Sequence, residues 1–226
     1  MKKRTFGLLS CFGFLLVLFL FVEAQSRDFK YTVFIDPAHG GSEKGVKLSD
    51  KEWEKDVTLK IALLMKQILE KDEGFSVFLT RTSDRDVSPQ ERQKVLKDVK
   101  EGILLSLHIN GAFGKSASGY ECYFPGFKNK NQDIVGDMIE NKRLNDSVAL
   151  ANIILKNLQE IFPRKGRGLR EAPFLLYEGL KIPALVIEIG FGTNQEDRKI
   201  LLEEAGQKKI ALILARSVKD YFKQKR

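Results

Sequence analysis

The sequence predicts an α/β fold: a single domain built on a mostly parallel, twisted sheet with helices on both faces. Short runs rich in Val, Ile, Leu and Phe recur along the chain, and segments with helical spacing fall between them. No internal repeat and no Gly/Ser- or Pro-rich linker divides the chain. Strands that alternate with helices need crossover connections, and those favour parallel pairing under two helical layers.

The elements follow in order. Tyr31–Ile35 is β-branched and aromatic and stops at Asp36-Pro37, so it reads as a buried strand running into a loop. Val57, Ile61, Leu64 and Ile68 recur at helical spacing and predict a helix from Glu54 to about Lys71. Phe75–Thr80 is a second strand, and Ser88-Pro89-Gln90-Glu91 has the layout of a capping box opening a helix to about Val99. Ile103–Leu107 is the third strand and Gly119–Phe124 a fourth. The polar stretch from Lys128 to Asp146 reads as a surface excursion, followed by a helix from about Ser147 to Ile161. Pro183–Ile187 is another apolar strand, and Ile210, Leu214, Val218 and Phe222 place a closing helix over about 207–222.

The N-terminus has a different character. Lys2, Lys3 and Arg4 precede an apolar run from Phe6 to Val22, which is the layout of a secretory signal peptide, and Val22-Glu23-Ala24 places the cut after Ala24. The expectation is a leader over 1–24 and one folded domain over 25–226, exported to a periplasmic or extracellular space. A retained anchor is the rival, because a run of roughly 17 apolar residues is at the short limit for a membrane span. Cys11 lies too early in the run for a lipoprotein signal. Loss of the leader leaves Cys122 alone, so no internal disulfide is available and the core must hold the fold.

The whole chain carries a formal net charge of +8. Its Lys and Arg residues are interleaved with acids, as on a solvated surface, and the excess at most favours polyanionic surroundings. An export signal and the lack of any nucleic-acid-binding motif argue against nucleic acid as a partner. The membrane would be touched only through the leader, if it stays uncleaved.

The chemistry collects at strand ends. The chain has only two histidines, His39 and His108, and each falls just after an apolar strand, the edge at which α/β sheets bind ligands. Either one alone is more often a hydrogen-bonded core or loop residue; two at one edge point to a shared site. Glu188 closes the apolar strand Leu185-Val186-Ile187, where a carboxylate is costly to bury unless a cation or donors receive it. Glu54 opens the first helix, where an acid commonly serves only the helix dipole, and spacing does not choose between it and Glu52.

These residues carry a resemblance. Val33–Gly41, Glu54–Leu59, Leu79-Thr80-Arg81, Ser106–Asn110, Arg167-Gly168 and Val186–Asn194 together resemble, in order and over nearly the whole chain after the leader, the zinc-dependent N-acetylmuramoyl-L-alanine amidases of the Amidase_3 type. The resemblance implies that His39, Glu54 and His108 bind Zn2+ and that Glu188 is the catalytic glutamate, and it selects Glu54 over Glu52. It implies hydrolysis of the amide between the lactyl group of N-acetylmuramic acid and L-alanine in peptidoglycan. Asp36, Asn110 and Arg167 match recurrent family positions as supporting or substrate-contact candidates. The chain departs from the family pattern at Leu96-Lys97, where an Ala-Asn pair is usual. Its short segment before Ser147 also argues against a blocking helix there. Two further readings stand beside this one: a zinc carboxypeptidase acting on the stem peptide, and a wall-binding protein without turnover.

Overall fold

A computed structural model describes residues 31–96, 98–126, 134–162, 166–174 and 179–225. The leader lies outside the described residues. Six strands, β1 (Tyr31–Pro37), β2 (Phe75–Leu79), β3 (Ile103–Asn110), β4 (Glu121–Phe124), β5 (Gly168–Glu171) and β6 (Ala184–Phe191), form one sheet in the order β2-β1-β3-β6-β4-β5. Five helices accompany them: α1 (Glu54–Leu69), α2 (Pro89–Leu96), α3 (Ile134–Leu158), α4 (Gln195–Leu202) and α5 (Glu204–Gln224). All pairings are parallel except β4 with β6.

Side chains alternate across the pleat and so sort into two unequal cores. On one face Val33, Ile35, Leu105, Leu107, Leu185, Ile187 and Cys122 pack under α1, α3, α4 and α5. α5 lies between α1 and α3 and contributes Ile210, Leu214 and Val218 to this core. On the other face Phe34, Leu104, Ala184 and Val186 meet Leu96 of α2 and Ile182 in a much smaller cluster. This second face changes character along the strands. Phe34 is followed by Asp36, Leu104 by Ser106 and His108, and Val186 by Glu188, so its carboxyl-terminal half is polar.

One expectation needed correction. The helix placed at Ser147 begins at Ile134. Its core-facing residues, Leu144, Ser147, Leu150, Ala151, Ile154 and Leu158, are buried, whereas Val135, Met138 and Ile139 of its first turns are exposed. A helix that leaves the domain surface for its first turns has no core stripe there, so periodicity does not reveal it. The antiparallel step at β4, the short β5 and α4 were also not anticipated; four-residue strands leave almost no periodic signal. Among the described residues no helix is long and apolar enough to cross a membrane.

Candidate active site

The site lies where the polar half of the open face meets the loops after β1 and β3. Its first part is the turn after β1. His39 has φ +58°, a left-handed conformation that is uncommon for a side-chain-bearing residue. Gly40 follows with φ +138°, and a Cβ there would lie 2.3 Å from the Arg85 carbonyl oxygen, so only glycine passes. Gly40 and Glu43 exchange backbone hydrogen bonds of 2.9 and 3.1 Å. That closure carries the Glu43 carboxylate back to His39, where it accepts from Nδ1 at 2.8 Å and leaves Nε2 turned toward Glu54.

Two buried arginines clamp this turn from behind. Arg81 donates through Nε to the Pro37 carbonyl at 3.0 Å and through Nη2 to the carbonyls of Ala38 and Lys55 at 2.9 and 2.7 Å. Arg92 of α2 donates through Nη2 to the His39 carbonyl at 2.6 Å and through Nη1 to Asp36 at 2.5 Å. Asp36 also accepts from Thr80 at 2.5 Å and Ser106 at 2.7 Å. Burial pushes the Asp36 carboxyl up, and the Arg92 charge with these hydrogen bonds outweighs it, so its pKa falls below the ordinary value of 3.8. Arg92 was legible in the sequence only as a helix residue.

Glu54 is buried and doubly tethered: Oε2 accepts from the Val46 amide and Oε1 from the Ile109 amide, both at 3.0 Å. Oε1 also lies 3.1 Å from His39 Nε2 and 3.2 Å from His108 Nδ1. Burial raises its pKa, but contacts with His108 and His39 dominate and bring it to about 2. A Cβ at Gly45 would sit 2.5 Å from Glu54 Oε2 and 2.6 Å from the His39 ring, which is why the loop over this carboxylate needs glycine. Glu52 sits elsewhere, paired with Lys60 at 2.5 Å. One ligand atom from each of His39, Glu54 and His108 lies within 4.8 Å of the others, a group able to hold a metal ion.

Glu188 enters from β6. The register sets it beside His108 on β3 and beside Glu121 on β4, so His108, Glu188 and Glu121 form a row across three strands. Its Oε2 is buried without a hydrogen-bond partner. Burial pushes its pKa up to about 7, helped by the Glu54 and Glu121 charges and opposed by the histidines. A cavity of about 200 Å³ opens beside the two histidines, lined by His39, Glu43, His108, Pro89, Arg92 and Phe174 among others. A larger hollow of about 330 Å³ runs along α2 beside Gly179–Lys181, away from these groups. The smaller one adjoins the chemistry, because both histidines of the metal-capable group line it.

Asn110 donates to Glu121 Oε1 at 2.6 Å. Glu121 Oε2 lies 3.5 Å from Arg167 Nε and 3.7 Å from Arg170 Nε. The sequence reading did not single out Glu121 or Arg170. Their signal was Glu121 itself, an acid opening a strand whose next residue is fully buried.

Fold and site together define a single-domain α/β protein with a two-histidine, one-glutamate group and an adjacent free carboxylate at the carboxyl edge of its sheet. The N-acetylmuramoyl-L-alanine amidase family model matches residues 33–220, and the chain belongs to this family of enzymes. The germination-specific N-acetylmuramoyl-L-alanine amidase of Bacillus subtilis is 25% identical, over 100% of this chain and 98% of its own. Among solved structures, an N-acetylmuramoyl-L-alanine amidase from Clostridium difficile 630 is 28% identical with a TM-score of 0.73, covering 88% of this chain and 100% of that one. The catalytic domain of CwlV from Bacillus (Paenibacillus) polymyxa is 26% identical with a TM-score of 0.72, over 85% and 98% respectively.

Proposed function

We propose that this protein is a zinc-dependent amidase that hydrolyses the bond between the lactyl carbonyl of N-acetylmuramic acid and the nitrogen of L-alanine in peptidoglycan. The observation that carries the reading is the convergence of His39, Glu54 and His108 within 4.8 Å, with the unpartnered Glu188 carboxylate on the neighbouring strand. Two imidazoles and one carboxylate are a common catalytic zinc set, and three protein ligands leave a position open. The fit is also electrostatic. Glu54 has its amide donors placed so that both oxygens are held, and an ion would replace protons now shared with the two rings.

When bound, zinc supplies Lewis acidity, lowering the pKa of water toward roughly 7 and polarising a carbonyl. The chain's residues do the rest. Glu43 fixes the His39 ring through Nδ1, so that Nε2 is the ligand atom. Arg81 and Arg92 hold the backbone beneath that ring. Glu188, whose buried Oε2 has no hydrogen-bond partner, takes a proton from the attacking water and returns it to the alanine nitrogen, which leaves poorly as an anion. The products are a muramic lactyl carboxylate and a free stem peptide.

The protein acts outside the cytoplasm in this reading, after removal of residues 1–24, with 25–226 forming the catalytic domain. Terminal sequencing of the exported protein should find Gln25, and an intact Met1 chain in the membrane fraction would favour an anchor instead. Function is tested by digesting purified sacculi with and without a chelator and weighing the products. Release of intact stem peptides beginning with L-alanine, abolished by the chelator, is the expected result. Release of single terminal amino acids would replace the reading with a carboxypeptidase, and no release would leave a wall-binding protein.

A further inference from the structure

The open face of the sheet continues past Glu188. Its next strand is β4, which presents Glu121 in register with Glu188, and its last is β5, where Gly168 pairs with Glu121 and Arg170 with Tyr123. Glu121 is 2% exposed and receives Asn110 on one oxygen. Its other oxygen is buried, has no hydrogen bond, and faces two cations, Arg167 and Arg170, through their Nε edges. Among the described residues this one carboxylate is paired with two guanidinium groups, with Glu188 beside it on β6. The Arg167 guanidinium also lies 5.2 Å from the centre of the buried Phe191 ring. The two side chains stay partly open to solvent, at 39% and 50% exposure. Tyr123, paired with Arg170 across the strands, meets Phe174 edge to face with rings 5.7 Å apart.

We propose that Arg167 and Arg170, anchored by Glu121, form a carboxylate-binding subsite for the peptide leaving group, receiving the free carboxylate of the residue that follows L-alanine. The inference rests on the amidase reading of the site. The guanidinium groups meet Glu121 over β4, and adjacent strands are roughly 5 Å apart. A scissile nitrogen at Glu188 therefore places the arginines about one to two residue lengths down the peptide. An arginine that turns its Nε edge toward Glu121, at 3.5 and 3.7 Å, keeps its two terminal nitrogens for a planar carboxylate, a fit that lysine does not reproduce. The peptide would run from β6 toward β5, and the glycan would lie on the His39 side.

The test uses two N-acetylmuramoyl peptides that differ only in whether the residue after L-alanine bears a carboxylate or the corresponding carboxamide. Turnover of both is measured, together with calorimetric binding of the two free peptides to the zinc-loaded protein. The wild-type protein should prefer the carboxylate form about five- to tenfold, in KM and in binding, as expected for a charge-assisted contact that is partly solvent-screened. In Arg167→Gln/Arg170→Gln this ratio should fall toward one, and Arg167→Lys/Arg170→Lys should keep only part of it. Glu121→Gln, which loosens the anchor and leaves both cations, should lower the ratio less than the double Gln variant. If the arginines merely pin β5 to the sheet, thermal stability changes in these variants and the ratio does not, which overturns the subsite. Equal turnover and binding of the two peptides by the wild-type protein also overturns it while leaving the amidase reading intact. Preferential binding of the carboxylate form without turnover of either substrate would keep the subsite and sink the amidase reading.

Discussion

Glu188→Gln separates proton transfer from metal binding, and its consequences can be worked out from the structure in two independent quantities. The carboxyl group titrates at about 7 in the metal-free fold against an ordinary 4.5. A raised acid pKa means that between these two values the folded state holds a proton that the unfolded chain has released. Stability therefore falls as pH rises through this window. At 1.36 kcal/mol per pH unit the full loss is about 3 kcal/mol, complete above pH 7 and absent below pH 4.5. Glutamine has nearly the same shape and no proton to lose. Metal-stripped Glu188→Gln should thus match the wild-type protein in stability near pH 4 and exceed it by roughly 2–3 kcal/mol near pH 8, a Tm gain of about 5–10 °C for a domain of this size. Thermal melts of both proteins across pH 4–8 in chelator check this. Turnover of the zinc-loaded variant on sacculi should fall roughly 10²–10⁴-fold with its metal retained. A stability difference that does not grow with pH refutes the buried, near-neutral carboxyl. Near-normal turnover with zinc in place refutes its role as the base, and loss of zinc moves Glu188 into the ligand set.

Three further outcomes follow from the same geometry. His39→Ala or His108→Ala should each remove most of the single bound zinc, measured by metal analysis after desalting; one equivalent held at wild-type affinity would refute the ligand assignment. Glu43→Ala frees His39 Nδ1 and should weaken zinc binding about 10–100-fold in a competition titration while leaving the fold's Tm without metal nearly unchanged, as expected for an exposed carboxylate that orients a ligand. Asp36→Asn leaves the Arg92 guanidinium without its buried counter-charge and should cost about 3–5 kcal/mol in denaturant unfolding. Because the folded pKa of Asp36 is depressed, its contribution is full above pH 4 and lost as pH falls below that; a wild-type protein whose acid stability equals that of the Asn variant at pH 6 and at pH 3 alike would contradict it.

The sequence by itself determined the strand-and-helix alternation, the position of most of the core, and the four residues at which chemistry was expected. Those properties are written locally: a β-branched run that ends at a polar residue, a helical stripe, and two histidines in the entire chain. Tertiary structure decided what periodicity does not encode. The register between β3, β6 and β4 brings His108, Glu188 and Glu121 into one row, although the segments that carry them are far apart in the chain. Spacing leaves Glu54 and Glu52 equivalent and only the family resemblance chooses between them; the physical difference is the packing of the Val46 and Ile109 amides around one carboxylate, with Lys60 beside the other. Arg81 appears in the sequence only within a family motif and Arg92 only as a helix residue; both are buried, because the left-handed turn at His39 exposes carbonyls that need donors and no strand is there to supply them. The first turns of α3 stayed hidden for the opposite reason. A helix signals itself through the face it buries, and that stretch buries almost none.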